Sequence, residues 1–440
     1  MIGNMKKNLN LFFSALKRSA MMYGENGFWF IIEGVLINSA LVLSTGAFLT
    51  GFFVELNAND FIVGFVGTAN IWAPVTALFS CYIYAKLKKT KRFLILSNIL
   101  SRILLCGIVF LPVISPNSAG LAELAMIIVI VGNILWSIYC VGANIWMMTS
   151  VSRTDRTEFI YKRMLWLRIS YTLTSLIMGF VLDRFTDRLL GFILVFMLSF
   201  LLSIMDLVVL IKIPYGDTES KGVNTMVPTL LLAPFRHREY RRFLLFTLLY
   251  YLIVYTSFSF SNLYLLRYLE FPYIYLSIVY TVFYVAQIFS ALLWCAIEKK
   301  KGAMFVFRCS ALSLLVELFL YTFLMGRYAI IPLTAAIFAG FGTGGLNIIM
   351  FTYRYDIMPE DNSTNFETWF MVIQGLAIML GPIIGGIVRP MLSPFSIGSL
   401  QLSEFQQMYF LSAVIAALMI PLFLKQDRSK GGVGSKSKTE

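Results

Sequence analysis

Ionisable side chains stand inside stretches otherwise built from hydrocarbon, and those of most interest are Glu33, Arg102, Arg168, Asp206 and Glu317. Putting such a group into lipid costs roughly 2.5–3.5 kcal/mol on insertion scales, so each needs a counter-ion, a proton or a use. At about 1.5 Å of helix per residue, Glu33 and Arg168 lie about 10 Å or less from the nearest basic edge. Arg102 is some 15 Å beyond Arg92, and Asp206 about 9 Å above Lys212. A long arginine can bend toward the interface, which makes Arg102–Asp206 an expected buried pair. Glu317 is about 15 Å from Arg327, nearer mid-membrane than the other acids. Arg308, nine residues away on the same stretch, cannot easily reach it. A carboxyl so placed is either a proton-coupling site or a neutral, hydrogen-bonded acid.

Amides and hydroxyls recur at helical spacing in four apolar runs. Asn133, Ser137, Cys140 and Asn144 share one face; Tyr251, Tyr255, Phe258 and Asn262 share another; Thr343, Asn347 and Arg354 share a third; and Asn38 and Thr45 are seven apart. Such stripes either line a wet cavity or hydrogen-bond neighbouring helices together. Other chemistry has little material. The one histidine, His237, lies in a basic loop, and the five cysteines show no CxxC spacing, so no metal, disulfide framework or cofactor is expected. No nucleophile-base pair is visible, which argues against an enzyme. Gly340-Phe341-Gly342-Thr343-Gly344-Gly345 fits G-x-G-x-x-G, but no strand precedes it, so close helix packing is the expected role.

The elements that must position these residues follow from composition. With 58% hydrophobic and 13% charged residues over 440 positions, the chain belongs in lipid. About 20 apolar residues cross a bilayer core as helix. Runs of that kind lie near 27–54, 62–85, 93–113, 121–147, 164–182, 189–213, 243–266, 273–297, 303–325, 328–351, 366–388 and 405–424, twelve in all. The expected fold is all-α, with a terminal segment at 1–26, six-helix bundles at 27–213 and 243–424, a linker at 214–242 and a flexible tail at 425–440. Leu9, Phe12, Phe13, Leu16 and Ala20 suggest a short surface helix, and Met226–Leu232 an interfacial one within the linker. Of 36 Lys and Arg, 28 fall on the side of the N-terminus and 5 on the other. That imbalance places both termini in the cytoplasm, and it directs the net charge of +13 at lipid headgroups and away from nucleic acid.

The chain also repeats. Ser152-Arg153-Thr154-Asp155-Arg156-Thr157-Glu158-Phe159 returns 207 residues later as Pro359-Glu360-Asp361-Asn362-Ser363-Thr364-Asn365-Phe366, and the same offset carries Gly179 onto Gly386. Asn362-Ser363-Thr364 fits a glycosylation sequon on the wrong side of the membrane. Parallel repeats of this kind are one plan of secondary transporters. Together with Phe48-Leu49-Thr50-Gly51, Gly64-Phe65-Val66-Gly67 and Pro234-Phe235-Arg236 through Arg241-Arg242-Phe243, the repeat makes the whole chain resemble the major facilitator superfamily, bacterial type. That family's basic loop between the second and third spans is worn down to Tyr84-Ala85-Lys86-Leu87-Lys88-Lys89-Thr90-Lys91-Arg92, without its glycines and aspartate. Gly381-Pro382-Ile383-Ile384-Gly385-Gly386, with Gly375 upstream, resembles the family's antiporter signature on the eleventh span instead of the fifth, and reads as a packing or gating element.

The resemblance implies a secondary active transporter of the plasma membrane, monomeric, rocking two halves about a central cavity. It places the first, fourth, seventh and tenth spans around that cavity, so Asn38, Thr45, Asn133, Ser137, Tyr139, Asn144, Tyr251, Tyr255, Asn262, Thr343 and Asn347 become the expected substrate lining, with Trp136 and Phe258 nearby. It also makes neighbours of the first and fifth spans, hence an expected Glu33–Arg168 pair. Few fixed charges among amides and aromatics favour a small neutral or amphipathic solute, with proton-coupled export ahead of proton-coupled uptake of a sugar- or peptide-like solute. A non-transporting sensor or partner subunit is the competing class, favoured by the eroded loop.

Overall fold

The computed structural model describes residues 24–76, 79–80, 83–84, 90–115, 120–151, 156–215, 232–324, 328–359, 363–397 and 400–427. The expected surface helix at 9–20, most of the interfacial patch at 226–232, the basic loop at 85–89, the centres of the two repeated stretches and the tail beyond 427 lie outside the described residues.

Among the described residues, ten helical stretches are long and apolar enough to cross a membrane. The chain is a multi-pass, all-helical membrane protein apart from one short antiparallel strand pair, Phe395–Ile397 with Leu400–Leu402, in the connection before its last helix. Two of the expected spans differ from the rest. Residues 62–85 are described as the helices Asp60–Gly67 and Ala69–Trp72 and the 3-10 turn Ala73–Thr76. The Thr68 hydroxyl donates back to the Phe65 carbonyl at 3.1 Å, and Pro74 lacks a donor, so the backbone ladder is interrupted twice. Residues 405–424 fall within the helix Glu404–Asp427.

The chain divides into two compact units, Met1–Val227 with Pro272–Ser277, and Pro228–Phe271 with Ile278–Glu440. Unit 1 contains Gly24–Ser44, Gly46–Glu55, Thr90–Gly107, Leu121–Ser150, Arg156–Arg184 and Arg188–Lys212. Its first span breaks at Thr45, because Gly46 takes φ +56°, a left-handed conformation that costs a residue without Cβ little. Its last helix starts cleanly: the Asp187 carboxylate accepts from Leu189 N and Leu190 N at 3.0 and 3.3 Å. The core is Phe30, Ile31, Leu94, Trp146, Phe159 and Leu210.

Unit 2 contains Arg238–Phe258, most of Tyr273–Lys301, Ala303–Thr322, Ile330–Asp356, Ser363–Val388 and Glu404–Asp427. It buries an aromatic core of Tyr240, Phe243, Phe246, Phe307, Phe366 and Phe370. The glycine run at 340–345 is a packing face. A Cβ on Gly340 would stand 2.6 Å from Ala286 Cβ, and one on Gly342 would stand 2.5 Å from Leu314 Cγ.

Each unit packs its helices by the same plan. In unit 1, helix 24–44 packs on 156–184 and 188–212, and 90–107 packs on 121–150 and 188–212. In unit 2, helix 238–258 packs on 363–388 and 404–427, and 303–322 packs on 330–356 and 404–427. The internal repeat read from the sequence therefore reappears as a repeated set of helix pairings.

Candidate functional site

Unit 1 buries a polar cluster on five helices. Glu33, with its side chain 5% exposed, pairs with Arg163, whose Nη2 lies 2.7 Å from Oε2. Arg163 Nε also donates to the Phe30 carbonyl at 3.1 Å, and the Tyr139 hydroxyl donates to the other Glu33 oxygen at 3.3 Å. The partner of Glu33 is therefore Arg163, in place of the expected Arg168. The reason is Gly34: a Cβ there would lie 3.0 Å from Arg163 Nε and 2.6 Å from Leu167, so only glycine leaves the groove through which Arg163 reaches the carboxylate. Arg168 lies five residues further along the same helix, half-buried.

The second expected pair is also rearranged. Asp206 is fully buried and accepts from Asn98 Nδ2 at 3.0 Å. Asn98 lies one turn before Arg102 on the 90–107 helix and is the residue that reaches the acid. Arg102, 2% exposed, stacks instead over the Trp136 ring at 3.9 Å, and none of its three nitrogens has a hydrogen-bond partner. Asn98 Oδ1, Asn133 Oδ1 and Asp206 Oδ1 are likewise buried without a partner. Trp136 is half-buried and lies 5.1 Å from the Tyr139 ring. Its indole thus links Arg102 to the side chain that holds Glu33. A buried, ring-stacked guanidinium forgoes hydrogen bonds normally worth about 1.5–3 kcal/mol each for a charged group.

Other expected lining residues of unit 1 are spread among three situations. Asn38 Nδ2 donates to the Leu167 carbonyl at 2.7 Å, which ties two helices together. Thr45 and Asn133 donate within their own helices, to Leu41 and Val129, at 2.7 and 2.9 Å. Ser137 is buried, and Asn144 is exposed.

Unit 2 arranges its polar residues differently. Tyr251, Tyr255 and Phe258 form a ladder of rings with centroids 6.3 and 6.1 Å apart. Tyr280 donates to Asn262 Oδ1 at 3.0 Å, and Gln287 Nε2 lies 3.5 Å from Thr343 Oγ1. Asn347 is exposed. Glu317 is 8% exposed, beside a cavity of about 20 Å³ lined by Tyr250, Leu314 and Leu318. Among the described residues, no hydrogen bond or ion pair to it is present.

Gly381 and Gly385 face the 238–258 helix directly. A Cβ on Gly381 would stand 2.8 Å from the Tyr255 backbone, and one on Gly385 would collide with the Thr256 carbonyl. Pro382 lies inside the 363–388 helix, where Gly375 is buried and Gly386 half-buried. The glycine-proline run therefore brings a helix backbone against Tyr255, a lining candidate.

Several polar residues escape a reading of the sequence. Arg163 reads as a loop charge, and Asn98 falls on a run with no stripe. Gln287, Gln374 and Tyr280 lie on spans that read as apolar. Glu367, which forms a two-point ion pair with Arg354 at 2.8 and 3.0 Å, opens a helix and so reads as a surface acid. No group of three or more His, Cys, Asp or Glu able to hold a metal occurs among the described residues.

Known structures share this architecture. The chain is similar to a point mutant of the nucleoside transporter NupG, with a TM-score of 0.72 and 14% identity over 91% of this chain and 99% of that one. It is similar to a bacterial homologue of the iron transporter ferroportin in an inward-facing state, with a TM-score of 0.68 and 15% identity over 91% and 98%. It is also similar to the xylose transporter XylE from E. coli in an inward open conformation, with a TM-score of 0.62 and 14% identity over 89% and 94%. No curated protein matches the sequence. The residues that carry the broken first span, the buried cluster of unit 1 and the aromatic ladder of unit 2 all fall within a match to the Major Facilitator Superfamily over residues 34–382 or within a residue of its edge, and the chain belongs to that superfamily.

Proposed function

We propose that the protein is a secondary active transporter working by alternating access, and that it moves a small, neutral or amphipathic solute across the plasma membrane in exchange for protons. The proposal includes twelve spans, with six-helix halves at 27–213 and 243–424 around a linker at 214–242, and both termini in the cytoplasm. The charge imbalance between loops supports that orientation.

One observation carries the coupling: unit 1 buries Glu33, Arg163, Arg102 and Asp206 beside a large hydrophobic cluster, and among the described residues Arg102 and Asp206 have no direct ionic partner. Ionisable groups buried at this cost mark ion and proton pathways. The Tyr139 hydroxyl donates to the Glu33 carboxylate, so a proton arriving on Glu33 would weaken both that bond and the Arg163 pair. Arg102, held on Trp136, acts as the positive charge whose distance to Asp206 changes when that acid gains or loses a proton. The similar structures include transporters of nucleosides, of metal and of xylose, so the solute class is read from the lining alone. Tyr251, Tyr255, Asn262 and Thr343 offer ring faces and single hydrogen bonds in place of fixed charge, which suits a weakly polar amphiphile.

The test is flux in proteoliposomes under an imposed pH gradient, with a panel of neutral and amphipathic solutes. Gradient-driven flux is expected for the wild type and at least a tenfold loss in Glu33→Gln or Asp206→Asn. Undiminished gradient dependence in both variants and in Glu317→Gln removes the proton-coupling reading. Absence of flux with the whole panel favours the sensor class.

A further inference from the structure

The Ala303 end of unit 2 holds a cavity of about 100 Å³ whose walls include Phe243, Phe246, Met304, Phe307, Met350 and Tyr353. These walls are aromatic and thioether side chains, yet the stretch beside them is strongly cationic. Lys299, Lys300 and Lys301 are all exposed and close the 273–301 helix immediately before Ala303, itself a wall residue. Between Trp294 and Arg308 the only acid is Glu298, against three basic residues. On the opposite wall, Phe243 directly follows Arg241 and Arg242. The 303–322 helix begins with Gly302 as its N-cap and no acid in its first turn, so its amide end adds to the positive field without neutralising it. Lys301 lies over the Phe305 ring at 4.6 Å, which keeps its ammonium beside the cavity's helix.

We infer that this is a binding site for an anionic phospholipid, with an acyl segment in the cavity and its phosphate against Lys299, Lys300 and Lys301. A soluble phosphate compound would use the lysines and leave the aromatic cavity without a role. A zwitterionic lipid would fill the cavity and leave the cationic rim uncompensated. Only an amphiphile with a net negative head uses both, and lysines at a membrane surface attract such heads. The site is separate from the polar clusters described above and does not depend on the solute or on proton coupling.

The experiment uses the full-length protein in detergent, with phosphatidylglycerol, phosphatidylcholine or glycerol 3-phosphate added, read by melting temperature and by lipid retained in native mass spectrometry. Phosphatidylglycerol is expected to raise the melting temperature and remain bound, while the other two do neither. The triple variant Lys299→Gln/Lys300→Gln/Lys301→Gln changes exposed side chains, whose one ring contact, Lys301 on Phe305, is itself at the surface; with its melting temperature in the absence of lipid as the folding control, it should weaken phosphatidylglycerol binding about tenfold or more. Met304→Trp, which fills the cavity, should abolish retention, and Ala303→Leu provides a second filling change at an exposed position. Equal effects of the two lipids overturn the inference. So does a shift with glycerol 3-phosphate equal to that with lipid, or full phosphatidylglycerol retention in the triple variant or in both filling variants.

Discussion

In unit 1 the helices 24–44 and 156–184 meet through Glu33 and Arg163, an ion pair 2.7 Å long. Carrying the 207-residue repeat forward puts Tyr240 and Phe370 at those positions in unit 2. There the Tyr240 hydroxyl donates to the Phe366 carbonyl at 2.6 Å, and Phe370 stacks on Phe243 with centroids 5.8 Å apart. One helix pairing is thus closed by a buried ion pair in one half and by aromatic rings in the other. In unit 2 these two positions carry no charge, although the Arg354 guanidinium lies 3.9 Å over Phe370, so the packing plan does not require an ion pair at these positions. A buried pair is weak evidence for stability and better evidence for a use, which is why the cluster around Glu33 carries the coupling proposal.

The comparison can be broken by taking one charge from the joint. Arg163→Met leaves Glu33 buried with only Tyr139 as a polar partner, and should destabilise the protein by about 3–5 kcal/mol, read by denaturation in detergent. The double change Glu33→Met/Arg163→Met should recover most of that loss if the joint accepts apolar closure as unit 2 does. A double variant as unstable as the single one would show that the two halves do not obey one packing rule.

Arg102 sharpens the contrast from the other direction. Because its nitrogens have no partners, Arg102→Met should leave stability unchanged or raise it by about 1–3 kcal/mol, while gradient-driven flux falls at least tenfold. A large loss of stability would mean that the guanidinium holds the bundle together through Trp136 and Asp206. For unit 2, Gly385→Ala should cost about 1–3 kcal/mol through overpacking against the Thr256 carbonyl, measured as a lowered melting temperature. The smallest expected effect is that of Tyr280→Phe, which removes one hydrogen bond to Asn262 and should cost about 1 kcal/mol. A larger change in solute affinity than in stability would place Asn262 on the solute path.

Much of this is legible without any coordinates. Apolar run length, loop charge and the 207-residue repeat lead to a multi-pass helical protein of two like halves, since bilayer thickness and backbone hydrogen bonding leave a chain of this composition few alternatives. The buried groups Glu33, Arg102, Asp206 and Glu317 are also visible, because each interrupts a hydrophobic run. Their partners are not. Depth counting suggests Arg168 for Glu33, but the pairing turns on the gap left by Gly34 on one helix and the reach of Arg163 on another. Helical periodicity places Asn133 and Asn144 on one face, yet one is buried and the other exposed, because the face presented to a neighbour changes along a long helix.

By itself, then, the sequence determined that the chain is a multi-pass helical membrane protein and which groups are costly inside its apolar runs, because these depend on composition and spacing along the chain. Tertiary structure alone decided that Asn98 and not Arg102 meets Asp206, that Arg102 rests on Trp136, and that the second expected span is interrupted at Thr68 and Pro74. Such outcomes depend on side-chain reach and the space between helices, at distances of a few ångströms that no count of residues contains.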